Sequence, residues 1–348
     1  MAAFWKKKQF WGALIGLVLL AYCLKDIRPS EIRVLLQRVN IFYMLLCILS
    51  CFIFIVLKGL RWRLLVAQQK KMPVVRSITL FSAGQVLSVI MPALTGQVGR
   101  LFLFSSKEGL RKTFVFSTLV MEVLFDAISL VVFMFLTSLA FVFPQEYRYL
   151  SFVVAGVTVA VLILFYLILH YQQQTEDLGR RLLRERYPGV YITVKKFLRS
   201  FTKGIEMLRS TQHIFGTLAY SLLSWTAHMF VVWFLIRSFG LDLPFAAAAV
   251  VMIINTIVLM LPITPGNAGT FEFAVSSSLA AFSVGRSDAV LFALALHVVD
   301  LLPVFTFGFY FLRLEKMSLR KIKEEHEEEI ILDKIDEEGA FIEEDEVA

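Results

Sequence analysis

Long apolar runs fill much of the first 312 positions, and polar residues gather in the stretches between them. A helix crossing a bilayer needs about 20 mostly apolar residues. Six stretches read as full spans: 9–24, 41–60, 113–143, 151–170, 213–237 and 288–311. Two more apolar regions, 77–104 and 247–285, are long but interrupted. The interruptions read MPALTGQVGR at 91–100 and LPITPGNAGT at 261–270. Glycine and proline there break helical periodicity in the middle of apolar sequence.

Basic residues orient the spans. Lys and Arg crowd 58–76 and 171–212, whereas 144–150 and 238–246 hold only Arg148. The positive-inside rule puts the first two stretches in the cytoplasm and the last two outside. Lys6, Lys7 and Lys8 put the N-terminus inside, and Arg313, Lys316, Arg320 and Lys321 put the C-terminus inside. The loop 25–40 carries four basic residues on the side this scheme calls external, which works against the assignment of the first two spans. Counted this way, 77–104 enters and leaves on the cytoplasmic side and 247–285 on the outer side. The expected fold is an all-α polytopic membrane protein with six full spans plus two opposed re-entrant helical hairpins in an inverted repeat. It occupies 1–312, with a charged cytoplasmic tail at 313–348, and sits in the cell inner membrane.

The interruptions align at an offset of 170: Pro92 with Pro262, Gly96 with Gly266, Gln97 with Asn267, Gly99 with Gly269. Gln85 aligns with Asn255 and, after a small insertion, Asp126 with Asp300. Opposed repeats broken at matching places are the sequence pointer to a transporter site near the midplane. Backbone that leaves the helix there must face protein or a wet cavity, because lipid offers it no hydrogen bonds. The bland alternative is two ordinary kinks packed through small residues.

Arg100 and the N-termini of the half-helices are candidates to hold a phosphate or carboxylate. Glu122 and Asp126 share a helix face, as do His297 and Asp300. Each acid either carries protons or contacts a cationic head group, or is simply paired; Arg100 is the obvious partner for the first two. His228 reads as a packing residue. Glu272 follows the second tip, where it either caps free N–H groups or opposes anion binding.

With 348 residues, 58% of them hydrophobic, and mean hydropathy +0.72, a soluble class is excluded. The net charge of +7 fits loop orientation and anionic lipid heads rather than nucleic acid. Cys23, Cys47 and Cys51 have no metal-ligand spacing. No nucleophile elbow, P-loop or zinc-protease motif occurs, so no enzyme and no cofactor are expected. The expected partners are membrane lipids, and either a second copy or a component of envelope synthesis.

Several of these residues carry a family resemblance. Arg61-Trp62 stands at an Arg-Trp pair after the second span. Pro92, Gly96, Gln97 and Arg100 stand in a P…GE..R segment, with Gln97 replacing the acid. Glu122 and Asp126 match an E-R-x-x-D pattern, with Val123 replacing the Arg. Pro265, Gly266, Gly269 and Glu272 match PGGxGxxE, with Asn267 replacing a Gly. The chain resembles the membrane region of lysylphosphatidylglycerol synthetases and related stand-alone flippase-like proteins. The resemblance implies transbilayer movement of a lipid: an anionic or aminoacylated phospholipid, or a lipid-linked glycan precursor. The candidate substrate-binding residues are then Gln85, Gly96, Gln97, Arg100, Glu122, Asp126, Asn255, Gly266, Asn267, Glu272, His297 and Asp300. The rival expectation is a non-transporting scaffold or subunit for envelope lipid or glycan synthesis.

Overall fold

The computed structural model describes residues 14–25, 37–67, 69–91, 94–140, 155–160, 210–259 and 264–315, with scattered further positions between 149 and 171. Its regular elements are all helices, with no strand among the described residues. They are α1 (Leu14–Leu24), α2 (Ile41–Val66), α3 (Val74–Ile90), α4 (Leu94–Glu108), α5 (Lys112–Ala140), α6 (Thr211–Ser238), α7 (Phe245–Leu259), α8 (Thr270–Ala280) and α9 (Arg286–Leu314).

Four of these, α2, α5, α6 and α9, are long and apolar enough to cross a membrane. The 26 residues of α2 reach about 39 Å at 1.5 Å per residue, more than the roughly 30 Å hydrocarbon core. The 17 residues of α3 and the 15 each of α4 and α7 fall short of it. The expected span 9–24 is described only from residue 14, and most of 151–170, 171–209 and 316–348 lies outside the described residues.

The scaffold is an antiparallel pair, α2 and α6. Asn40 caps α2, its Oδ1 accepting from the Phe42 and Tyr43 amides at 3.0 and 3.4 Å. The Asn40 amide donates to the Ser238 carbonyl at 2.8 Å, tying the start of α2 to the end of α6. Farther along, Cys47 reaches the Val231 carbonyl and Arg61 reaches Ser221. A core of small and branched residues from α6, α7, α8 and α9 packs beside this pair, including Val231, Val250, Ile253, Val275 and Leu296.

The first interrupted region is a tight helical hairpin. A Cβ added to Gly96 would lie 2.6 Å from the Ser88 Cα, and one on Gly84 would lie 2.7 Å from the Arg100 Cγ. Thus α4 runs back along α3, and glycine permits the approach. Its open ends are pinned together: Arg76 Nε donates to Glu108 at 2.6 Å and Lys70 pairs with the same carboxylate at 2.8 Å. Arg76 also reaches Glu315, just past α9, at 2.9 Å.

The second interrupted region is α7, a one-turn 3-10 segment (Pro265–Asn267) and α8, which packs against α7. Gly266, Asn267 and Gly269 all have positive φ, at 58°, 56° and 83°. The break is therefore longer than the first, where α4 begins at residue 94. α1 crosses this tip, the Gly16 and Gly269 backbones meeting where neither leaves room for a side chain.

Candidate functional site

The two tips meet. A Cβ on Gly266 would touch the Val89 carbonyl oxygen at 3.4 Å and the Val89 Cγ1 at 3.6 Å. Pro92 and Pro262 lie outside the described residues. Gln97 faces outward, Gln85 is half-buried, and Asn255 is buried with its Oδ1 lacking a hydrogen-bond partner. The aligned glycines do different work: Gly96 lies within α4 against Ser88, whereas Gly266 holds a left-handed turn.

Behind the first tip lies a buried ion network. Arg61 Nη1 donates to Asp126 Oδ1 at 2.5 Å and Nη2 to Oδ2 at 3.2 Å. The same carboxylate accepts from Lys58 Nζ at 3.1 Å and Trp225 Nε1 at 2.8 Å. Arg61 also donates to Ser221 at 2.6 Å and lies 3.7 Å from Glu122. Glu122 takes a 2.6 Å bond from Arg100, whose guanidinium sits 4.7 Å from the Phe81 ring. Hence α2, α4 and α5 are joined through five charges, Lys58, Arg61 and Arg100 against Glu122 and Asp126, one positive charge in surplus, and α6 joins through Ser221 and Trp225. The Nε atoms of Arg61 and Arg100 are buried with no partner. In a medium of low dielectric the four opposite charges that face one another interact strongly, and the surplus cation is held by its contact with Asp126.

Arg100 therefore pairs with Glu122 as expected, while Asp126 goes to α2. Lys58 and Arg61 look like loop charges in the sequence, but α2 continues through them to Val66. Their spacing of three along a helix was the available signal, together with the Arg-Trp pair. Trp225 and Ser221 had no sequence signal.

The second half holds two carboxylate–histidine pairs. His228 Nε2 lies 3.2 and 3.3 Å from the Asp300 oxygens, with the Phe54 ring 4.8 Å from the imidazole. Cys51 Sγ donates to the Val299 carbonyl at 3.4 Å. Pro303, four residues on, has no N–H to offer that carbonyl, so the thiol fills the gap. His297 Nδ1 lies 2.7 Å from Glu272 Oε1, and its ring stacks 4.3 Å from Phe271. Glu272 Oε2 accepts from the Gly269 amide at 2.7 Å, which caps α8. The N-terminus of α8 is thus already served by a carboxylate. His297 and Asp300 share α9 yet pair in different directions, toward α8 and α6.

Among the described residues no group of three or more His, Cys, Asp or Glu could hold a metal ion.

Comparison with known proteins gives the lineage. The chain is 23% identical over 283 residues to a UPF0104 membrane protein of Methanothermobacter thermautotrophicus, covering 74% of this chain and 81% of that one. It is 22% identical over 307 residues to a UPF0104 membrane protein of Pyrococcus horikoshii, covering 81% and 90%. No solved structure matches. The model of the lysylphosphatidylglycerol synthase TM region matches residues 9–308, and the chain belongs to that family of multi-pass membrane proteins.

Proposed function

We propose that this chain moves a lipid between the leaflets of the cell membrane, with both termini in the cytoplasm and the two interrupted regions acting as opposed re-entrant hairpins of an inverted repeat. The observation that carries the reading is the meeting of Gly266 with Val89 in a fold whose first hairpin also holds Arg100, part of a buried cluster carrying surplus positive charge. The pinning of Arg76 to Glu108 supports re-entry, since it holds both ends of the first hairpin at one level. The cationic surplus and the two unpartnered guanidinium Nε atoms suit the phosphate that an aminoacylated phospholipid, another anionic phospholipid and a lipid-linked glycan precursor have in common.

One observation favours the rival, a static subunit for envelope synthesis. The ion pairs are closed, and Glu272 already satisfies the α8 N-terminus. Transport then requires the network to exchange a carboxylate contact for lipid phosphate.

The test is a flipping assay in vesicles containing fluorescent phosphatidylglycerol or lysylphosphatidylglycerol, read by dithionite quenching. Loss of a charge-assisted hydrogen bond removes about 1.5–3 kcal/mol. Arg100→Ala and Asp126→Asn are therefore expected to slow flipping roughly ten- to a hundredfold. Wild-type vesicles that flip no lipid faster than protein-free ones would overturn the reading.

A further inference from the structure

The acids of the two halves face cations of different kinds. Asp126 and Glu122 meet Lys58, Arg61 and Arg100. Among the described residues, the acids of the other half are paired with imidazoles: His228 with Asp300 and His297 with Glu272. Guanidinium keeps its charge at every physiological pH, whereas histidine is the side-chain type that gains and loses charge near neutrality. Charge on the two arginines of the first half is therefore fixed, and charge in the second depends on bound protons. Without a proton, each carboxylate–imidazole pair carries a net negative charge among apolar helices. One proton per pair cancels it, and low dielectric makes that cancellation valuable.

The surroundings fit this role. Both pairs are largely buried, with side-chain exposures of 7% and 19% for His228 and Asp300, and 15% and 3% for His297 and Glu272. His228 Nδ1 is buried without a partner. Asp300 is faced from α2 by Cys51, 3.7 Å away, with Cys47 in electrostatic reach, and from α6 by His228 beside Trp225; Lys58 of α2 stands over the Phe54 and Trp225 rings that flank His228, 5.1 and 4.7 Å from their centres. Glu272 is faced by His297 from α9 and by the Gly269 amide; Cys23 of α1 lies in electrostatic reach of Glu272 and of Arg286. Glu272 thus touches the second tip with one oxygen and α9 with the other. A proton on this pair is felt at the tip, and a proton on His228–Asp300 is felt where α9 meets α6.

We propose that the His228–Asp300 and His297–Glu272 pairs are proton-binding sites that couple proton movement to lipid movement. This rests on the lipid-transport reading. Proton loading tightens α9 against α6 and α8; proton loss leaves two unneutralised carboxylates and loosens the second half. The Arg-paired acids of the first half do not take part.

Two measurements on the full chain test it. In vesicles carrying fluorescent phosphatidylglycerol, an imposed pH gradient is expected to change the wild-type flipping rate roughly fivefold or more. That dependence is expected to vanish in His228→Gln with His297→Gln, each glutamine keeping a hydrogen-bond donor. In lipid nanodiscs, nitrogen NMR of labelled histidine is expected to show two imidazoles that gain a proton when the sites load and whose signals disappear in the single variants. Wild-type flipping that ignores the gradient overturns the coupling while leaving lipid transport intact. Absence of flipping under all conditions overturns the transport reading; the NMR titration then still decides whether the pairs bind protons, and two imidazoles that never change state refute the sites.

Discussion

Asp126→Asn tests the buried network most sharply. The Asp126 carboxylate accepts from Lys58, Arg61 and Trp225 at 2.5–3.2 Å. The cluster sums to three cations and two carboxylates, and the variant raises the surplus from one charge to two. Arg61 is fully buried, and its remaining acid, Glu122, stands 3.7 Å away and already binds Arg100. Removing one partner of a buried pair costs about 3–5 kcal/mol, because the other charge stays desolvated. Lys58→Met removes a cation instead, leaving Asp126 with Arg61 and the cluster neutral. Its cost is expected to stay under about 1.5 kcal/mol, the range of volume-conserving swaps. The double variant is expected to be more stable than Asp126→Asn alone. Reversible unfolding in mixed micelles, followed by circular dichroism, gives all three values. A loss below about 1 kcal/mol for Asp126→Asn, comparable to an exposed pair, would refute the reasoning.

Three further outcomes follow. Gly96→Ala would push a methyl group to 2.6 Å from the Ser88 Cα and 3.0 Å from the Leu87 carbonyl; overpacking of backbone predicts a loss of about 1–3 kcal/mol in the same unfolding assay. Arg76 hydrogen-bonds Glu315 and, with the nearby charges, holds its carboxyl below the usual carboxylate range, so the stability it contributes is present above the unfolded-state value and is lost as pH falls through the folded one. Glu315 is partly exposed, so Glu315→Gln is expected to flatten the acid side of a melting-temperature profile by only about 0.2–1 kcal/mol; an unchanged profile contradicts the assignment. Cys47 and Cys51 are 0% and 1% exposed, so a water-soluble maleimide is expected to label them only after denaturation, as mass spectrometry would show.

Much of this was legible in residue order. Apolar run length predicts α5, α6 and α9 to within a few residues, because lipid selects such runs strongly. Glycine and proline mark both breaks, and aligning the two interrupted regions with a small insertion sets Asp126 against Asp300. The apolar run ends the second span at 60, short of Val66, because Lys58 and Arg61 resemble loop charges; their distant partner Asp126 shows why a helix carries them inward. Trp225 is one tryptophan among five, and nothing local marks it as a donor to a carboxylate. The unequal breaks are not legible in the sequence, because alignment compares residue types, whereas the left-handed turn at Gly266 and Asn267 depends on what packs beside it.

The most direct measurement joins the tips covalently. In a chain with Cys23, Cys47 and Cys51 replaced, Val89→Cys with Gly266→Cys places two thiols where a Cβ at 266 lies 3.6 Å from the Val89 side chain. If lipid passes where these tips meet, oxidation forms the bridge and stops flipping in vesicles, and a reductant restores it. Flipping that continues unchanged while the bridge is shown to be complete would contradict the account.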